Sequence, residues 1–322
     1  MRRRTGGGKE GQIWTNCHDP HNRQNKNAGN AGDLVKHTVY LAVIDSLLQA
    51  DPWRDHLRVH ECHAGRGLYR IPSGDRRMRS LKMLCDPVDN DNGVLLHDQQ
   101  RAAQRALRVW PSDLGGLGWY AGSATLNTQR LASASGPHRI ELYEREPDTR
   151  RILHLTLEKL HAETVEVCVS AEPDGERYIA DNIGRWDSRD LVFLDPFAMW
   201  RQECHQAQRD RYREIVGAVT ERAKDSALLV LFWTWGQNFP AAEGDLHDTN
   251  DAVPGGYQDL RRLLHGSRRH FIRIAWRWEL QFAMWVLVPE SRQYDIATAL
   301  RPHCRALRDR LQRHSDIEVA ID

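Results

Sequence analysis

An α/β fold is what this sequence predicts, with a Rossmann-like, mostly parallel sheet that carries one antiparallel strand. Three observations predict it. The run Leu191-Val-Phe-Leu194 is continuously apolar and stops at Asp195-Pro196. A parallel strand covered on both faces reads that way, and proline cannot continue a central ladder. Runs of this kind alternate with helix-periodic segments, which argues for parallel strands joined by helices. Near the end, Arg269–Trp278 and Gln281–Val288 are split by a very short connection and pair as an antiparallel hairpin.

The elements follow in order. Residues 1–26 are Arg/Gly-rich and then polar, with little to bury, so they read as disordered or extended. Cys17, His18 and His21 could ligate zinc, but a second ligand pair at finger spacing is missing, so no metal is expected. Asn27-Ala-Gly-Asn-Ala-Gly-Asp33 is turn-prone, and Asp33 suits a helix N-cap. Apolar residues from Leu34 to Leu47 then keep helical spacing, with Lys36 and His37 in the first turns. Leu57–Cys62 reads as a strand running into His63-Ala-Gly-Arg-Gly67, where glycines allow φ > 0 or close backbone approach. Residues 68–118 break the rhythm and read as an inserted helical subdomain with a basic edge at Arg70, Arg76, Arg77, Arg79 and Lys82. That edge is either a phosphate-contacting surface or a solvated charged face.

Trp119-Tyr-Ala-Gly-Ser123 reads as a turn before a helix. Arg139–Tyr143 is the next strand and ends at Glu144, where an acid can accept both hydroxyls of a ribose. Thr164–Val169 follows, with Asp174-Gly175 in the loop after it, and then the strand ending at Asp195. Tyr212–Lys224 reads as a helix, Ala227–Trp235 as a strand, 237–256 as a polar loop, Tyr257–Leu264 as a helix, and Tyr294–Arg313 as a basic helix behind the hairpin.

Composition sets broad limits. With 322 residues and 40% apolar content the chain can build one large or two modest domains. Lys plus Arg is 45 against 44 Asp plus Glu, so net charge names no partner. The six cysteines lack paired spacing, which fits a reducing cytoplasm better than a disulfide framework. No apolar run approaches the roughly 20 residues a membrane helix needs, and the charged N-terminus has no apolar core of a secretory signal. A monomer without membrane contact is expected.

The motifs taken together resemble a known family, the bacterial 23S ribosomal RNA adenine-N6 methyltransferases. Asn27-Ala-Gly-Asn-Ala-Gly-Asp-Leu-Val-Lys-His-Thr-Val39 is similar to the family's N-terminal signature. His63-Ala-Gly-Arg-Gly67 with Tyr69, Tyr120-Ala-Gly-Ser123, Glu144 with Pro147, Asp174-Gly175 and Leu194-Asp195-Pro196 resemble its later motifs, in the same order and at close spacings, across residues 27 to about 312. The resemblance implies a class I methyltransferase domain over 27–322 with the 68–118 insertion, S-adenosylmethionine as cofactor and a nucleic-acid partner, RNA first. It implies cofactor contacts from Lys36, His37, His63, Gly65, Ser123, Glu144, Asp174, Gly175 and Asp195. Catalysis would rest on Asp195, Pro196 and Phe197.

Two departures fall on the acceptor side. Phe197 and Ala198 stand where the family has its second proline and its stacking aromatic, and Asn27 replaces its first histidine. Base–aromatic stacking is worth roughly 1–3 kcal/mol, so these positions leave two alternatives open: a methyltransferase with another acceptor (DNA, another RNA position or a protein), or an inactive nucleic-acid-binding relative.

Overall fold

The computed structural model describes residues 28–51, 53–71, 95–107, 119–160, 163–172, 174–195, 206–221, 228–234, 270–277, 281–288, 290–310 and 316–321. The expectations for 1–26, for the basic edge at Arg76, Arg77, Arg79 and Lys82, for 237–256, for Tyr257–Leu264 and for Pro196 and Phe197 lie outside these residues.

The first helix, α1 (Ala31–Leu48), opens not on Asp33, which lies in its first turn, but on Asn30, whose side chain accepts from the Asp33 amide at 3.0 Å. Asp33 in turn accepts from Gly29 N at 2.8 Å. Two short polar side chains thus satisfy donors that a helix start leaves open. Every residue from Leu34 to Ile44 is buried, Lys36 and His37 included. A helix apolar on all sides belongs inside a fold. On one side Tyr40 stacks on Phe193 of the sheet with ring centroids 3.9 Å apart.

The strands are β1 (Arg58–Glu61), β2 (Leu68–Arg70), β3 (Trp119–Ala121), β4 (His138–Leu142), β5 (Val165–Val169), β6 (Asp190–Leu194), β7 (Leu228–Thr234), β8 (His270–Arg277), β9 (Gln281–Val288) and β10 (Asp316–Ile321). After α1 the helices are α2 (Leu95–Leu107), α3 (Ser123–Ala132), α4 (Pro147–Leu160), α5 (Gly175–Asn182), α6 (Gln206–Glu221) and α7 (Gln293–Arg310). Eight strands form one sheet in the order β10-β8-β9-β7-β6-β1-β4-β5. The pairs β5·β4, β4·β1, β1·β6 and β6·β7 are parallel. β9 enters antiparallel between β7 and β8. This is the Rossmann-like, mostly parallel sheet that the sequence predicts. β6 is continuously buried from Asp190 to Leu194, as a parallel strand covered on both faces is.

Three boundaries differ from the sequence reading. Trp119–Ala121 is a strand paired antiparallel with β2, not a turn. Side chains of α2 complete its hydrogen bonds: Gln100 bonds both Ala121 N and Ala121 O at 2.8 Å, and Gln104 donates to Trp119 O at 2.8 Å. Asp174 caps α5 rather than sitting in a free loop. β10 adds a further antiparallel edge strand beside β8. Of the 68–118 segment, α2 packs on α1, α3 and α4, and its Leu96, Ala103 and Leu107 share the main core.

β4 and β6 flank β1, so the strand order reverses at β1. Ligands of open α/β sheets settle beyond the strands' carboxyl ends at such a reversal. No helix among the described residues is long and apolar enough to cross a membrane.

Candidate active site

At the reversal, β1 runs into the turn 62–67. Its backbone stays tied to both neighbours: Cys62 N donates to Phe193 O and Ala64 N to Tyr143 O, each at 3.0 Å. Gly65 (φ +63°) and Gly67 (φ +74°) then take left-handed conformations, which cost a residue with a Cβ about 1–2 kcal/mol. Space forbids a side chain as well, since a Cβ at 65 would lie 2.1 Å from the Tyr69 hydroxyl. That hydroxyl accepts from Arg66 N at 3.0 Å. Gly67 O accepts from Gly122 N at 2.8 Å and from Thr125 Oγ1 at 2.7 Å, binding the turn to the start of α3.

Asp195 follows β6 directly. The Lys36 ammonium, reaching up from α1, donates to Asp195 Oδ2 and also lies 2.8 Å from Asp33 Oδ1. Burial works against charge on Lys36, but the two carboxylates outweigh it and hold the ammonium charged above its ordinary range. The Asp33 carboxyl is lowered despite its burial, through Lys36 above all. Asp195 N donates to His63 Nδ1 at 3.3 Å. A backbone N–H can only donate, so the His63 proton belongs on Nε2, which faces Glu176 Oε1 at 3.0 Å and Tyr212 OH at 3.3 Å. Tyr212 closes this chain by donating to Glu176.

Glu144 stands one residue beyond Tyr143, just past β4. Its Oε2 accepts from Gly65 N and its Oε1 from Glu146 N, both at 2.9 Å. Asp174 caps α5 by accepting from Arg177 N at 3.0 Å, and Arg211 of α6 donates to both of its oxygens at 2.8 and 2.6 Å. Gly175 lies where a Cβ would come within 2.4 Å of Tyr143 Cβ, so α5 packs hard against the residue before Glu144. His37 Nδ1 is 2.6 Å from Tyr120 OH. Burial, and then the Lys36 charge, push the His37 imidazole down to about 3, so it is neutral at pH 7.

The expected residues therefore converge in linked groups along the sheet's carboxyl ends. Lys36, Asp195 and His63 form one chain, Gly65 and Glu144 a direct pair, and Asp174 with Gly175 starts the helix that carries Glu176. Ser123 joins through a residue the sequence reading passed over. Its hydroxyl donates to Glu61 Oε1, and Asn127 Nδ2 donates to Glu61 Oε2 at 3.1 Å. Glu61 is fully buried, and burial pushes its carboxyl up to about 8. A carboxylate as the last residue of β1, two before His63, was the available signal. Arg211, Tyr212 and Glu176 were also missed, and nothing local marks them.

The chemical content is an ionised acid–ammonium pair at a strand end, a rigid glycine turn opposite, and a carboxylate one strand further. Among the described residues no group of three or more His, Cys, Asp or Glu is placed to hold a metal ion.

No family model matches the chain, and no curated protein does. Among solved structures, protein LPL1258 from Legionella pneumophila str. Philadelphia 1 is similar in fold. It has 18% identity and a TM-score of 0.62, over 91% of this chain and 98% of that one. An O-methyltransferase from Bacillus cereus in complex with SAH is similar at 11% identity and TM-score 0.38, over 86% of this chain and 96% of that one. NSun6 from Pyrococcus horikoshii with SFG follows at 10% identity and TM-score 0.32, over 79% and 51%. At these scores the last two say nothing further of this chain, and the first speaks to the fold alone.

Proposed function

We propose that this chain is an S-adenosylmethionine-dependent methyltransferase acting on nucleic acid, with N6 of an adenine in RNA as its acceptor. The observation that carries this reading is Asp195. It is held by Lys36 at the carboxyl end of β6, beside the strand whose turn carries Gly65 and Glu144's partner amide. The residues present fit the cofactor. Gly65, at φ +63°, carries no side chain, which leaves its backbone open to close approach by a ligand. The Glu144 carboxylate lies past β4, where ribose hydroxyls are accepted in such sheets. Lys36, His37, His63, Gly65, Ser123, Glu144, Asp174, Gly175 and Asp195 would line that site.

When bound, the cofactor supplies an electrophilic methyl group on a sulfonium. The chain's own task is mainly positioning. An adenine exocyclic amine is a weak nucleophile, because its lone pair is delocalised into the ring. Asp195 accepts one of its N–H bonds, favouring a pyramidal nitrogen with the lone pair free. Lys36 keeps one Asp195 oxygen occupied and so orients the other. After transfer the nitrogen sheds a proton, and Asp195 is the base that receives it. Pro196, by its carbonyl, and Phe197, by its ring, follow in the chain as second acceptor and stacking partner for an unstacked base.

Transfer of radiolabelled methyl groups to ribosomal RNA, with N6-methyladenine identified in the digest, tests the proposal. Asp195→Ala is expected to abolish labelling, and label that survives it unchanged refutes the role of Asp195. A second reading, the same chemistry on another acceptor, is favoured by Phe197-Ala198 in place of the family's proline and aromatic. It predicts label in DNA, protein or another base of the same RNA.

A further inference from the structure

We infer that Glu61 is a positioning residue of this site and acts through Ser123. The inference rests on the cofactor reading above. Glu61 ends β1 directly below the glycine turn, with no exposed surface. A carboxyl in that place must find its partners inside the protein. It finds them on one element, α3: the Ser123 hydroxyl and the Asn127 amide, one turn apart. Ser123 is the first residue of α3, and the Gly122 cap before it contributes no side-chain hydrogen bond. Glu61 therefore holds the start of α3 from below through two side chains rather than through its backbone amides. It sets where the Ser123 hydroxyl stands relative to the turn, whose Gly67 O is bonded to the same helix start.

The neighbourhood fits a carboxyl that keeps its proton. Asn127 Oδ1 and Tyr40 OH are both buried without a hydrogen-bond partner. Which end of an amide is oxygen is an assignment made from its partners. With the Asn127 amide turned over from the orientation in which Nδ2 donates to Glu61, a protonated Glu61 accepts from Ser123 at one oxygen and donates from the other to Asn127 Oδ1, which gives that oxygen a partner. The charged groups nearest Glu61 are Lys36 from α1 and Asp195 past β6, and their effects on it oppose each other. Burial thus decides. Glutamine reproduces the protonated pattern atom for atom, its carbonyl facing Ser123 and its amide facing Asn127. Methionine fills the same space with neither acceptor nor donor.

The test is a calorimetric titration of S-adenosylhomocysteine into the full chain and four variants: Glu61→Met, Glu61→Gln, Ser123→Ala and the double variant Glu61→Met/Ser123→Ala. Loss of one neutral hydrogen bond corresponds to roughly two- to tenfold in affinity. Glu61→Met and Ser123→Ala are each expected to weaken binding in that range, Glu61→Gln to restore it to within about twofold by the same arithmetic, and the double variant to be no weaker than the weaker single one. Such non-additivity marks two residues acting as one unit. Independent, multiplying losses overturn the inference, as does a Glu61→Gln chain as weak as Glu61→Met. A Glu61→Met chain that does not fold assigns Glu61 to the core and overturns it too. A wild-type chain that binds no S-adenosylhomocysteine is a different failure: it removes the cofactor reading first, and this inference with it.

Discussion

Replacing Lys36 by methionine removes one ammonium from between two carboxylates and keeps the aliphatic bulk that the core has closed around. The side chain of Lys36 is 6% exposed, and those of Asp33 and Asp195 are 15% and 19% exposed. At the 2.8 Å separation of Lys36 from Asp33, and an effective dielectric of about 20, the attraction is about 6 kcal/mol. Desolvation of the three groups offsets most of that, so the intact cluster adds little net stability. Breaking it is another matter. Asp33 and Asp195 are left facing each other without a cation, and removing one partner of a buried pair costs about 3–5 kcal/mol. Urea unfolding of the ligand-free chain at pH 7 should show that loss as a shift in midpoint at constant slope. The double variant Lys36→Met/Asp195→Asn should recover part of it, since one of the two stranded charges is gone. The deficit should also shrink as pH falls through the carboxylate range, where protonation removes the repulsion. A loss below about 1 kcal/mol, the range of exposed pairs, would refute the reasoning.

Three further outcomes follow from the same geometry. Gly65→Ala must hold φ near +63° and displace the Tyr69 hydroxyl; an unfolding loss of about 1–3 kcal/mol is expected, with part of it returned by Tyr69→Phe. Glu144→Ala releases the amides of Gly65 and Glu146, and calorimetry should show S-adenosylhomocysteine bound at least about tenfold more weakly, as for loss of one hydrogen bond to a charged group. The third concerns pH. Burial raises Glu61 to about 8 from an ordinary 4.5, so the folded chain holds a proton there that the unfolded chain gives up. Its contribution is fully present below pH 4.5 and is lost as pH rises towards 8, at up to about 1.4 kcal/mol per pH unit. His60, raised by Asp190 and Glu141 against its burial, loses stability in the same direction above about pH 6.5. Thermal unfolding of Glu61→Gln beside wild type separates the two: the variant's stability should fall less steeply from pH 5 to 8, and equal slopes would count against a buried, protonated Glu61.

Much of the fold was legible because parallel strands are buried on both faces and read as unbroken apolar runs. Leu191–Leu194 announces itself this way, and the split between β8 and β9 is short enough to allow only a hairpin. β3 was not legible. Its three residues are too few to show a period of two, and on the side away from β2 their backbone groups are satisfied by Gln100 and Gln104 from a helix earlier in the chain. β10 is a different case. Asp316-Ile-Glu-Val-Ala-Ile321 alternates with a period of two, the pattern of a strand with one face buried.

The site divides along the same physical line. Asp195, Glu144 and the 62–67 turn each lie within a few residues of a strand's carboxyl end, so finding the strands finds them. Their partners are set by tertiary packing. Lys36 is 159 residues from Asp195, Tyr212 is 149 from His63, and Arg211 is 37 from Asp174. No local period links such pairs. One consequence could not be anticipated from motifs: the carboxylates and hydroxyls expected to meet a ligand are already engaged with protein. Glu144 is held by backbone amides, which lose no side-chain freedom when they bind, and a carboxylate has lone pairs to spare beyond two such bonds. Asp174 is held by a flexible arginine on both oxygens and by one amide. A ligand at Glu144 therefore adds to an arrangement that stays in place, whereas a ligand amine at Asp174 has to share with Arg211. In the proposed cofactor site the half nearest the glycine turn is therefore the preorganised one, where binding energy would be least spent on rearrangement.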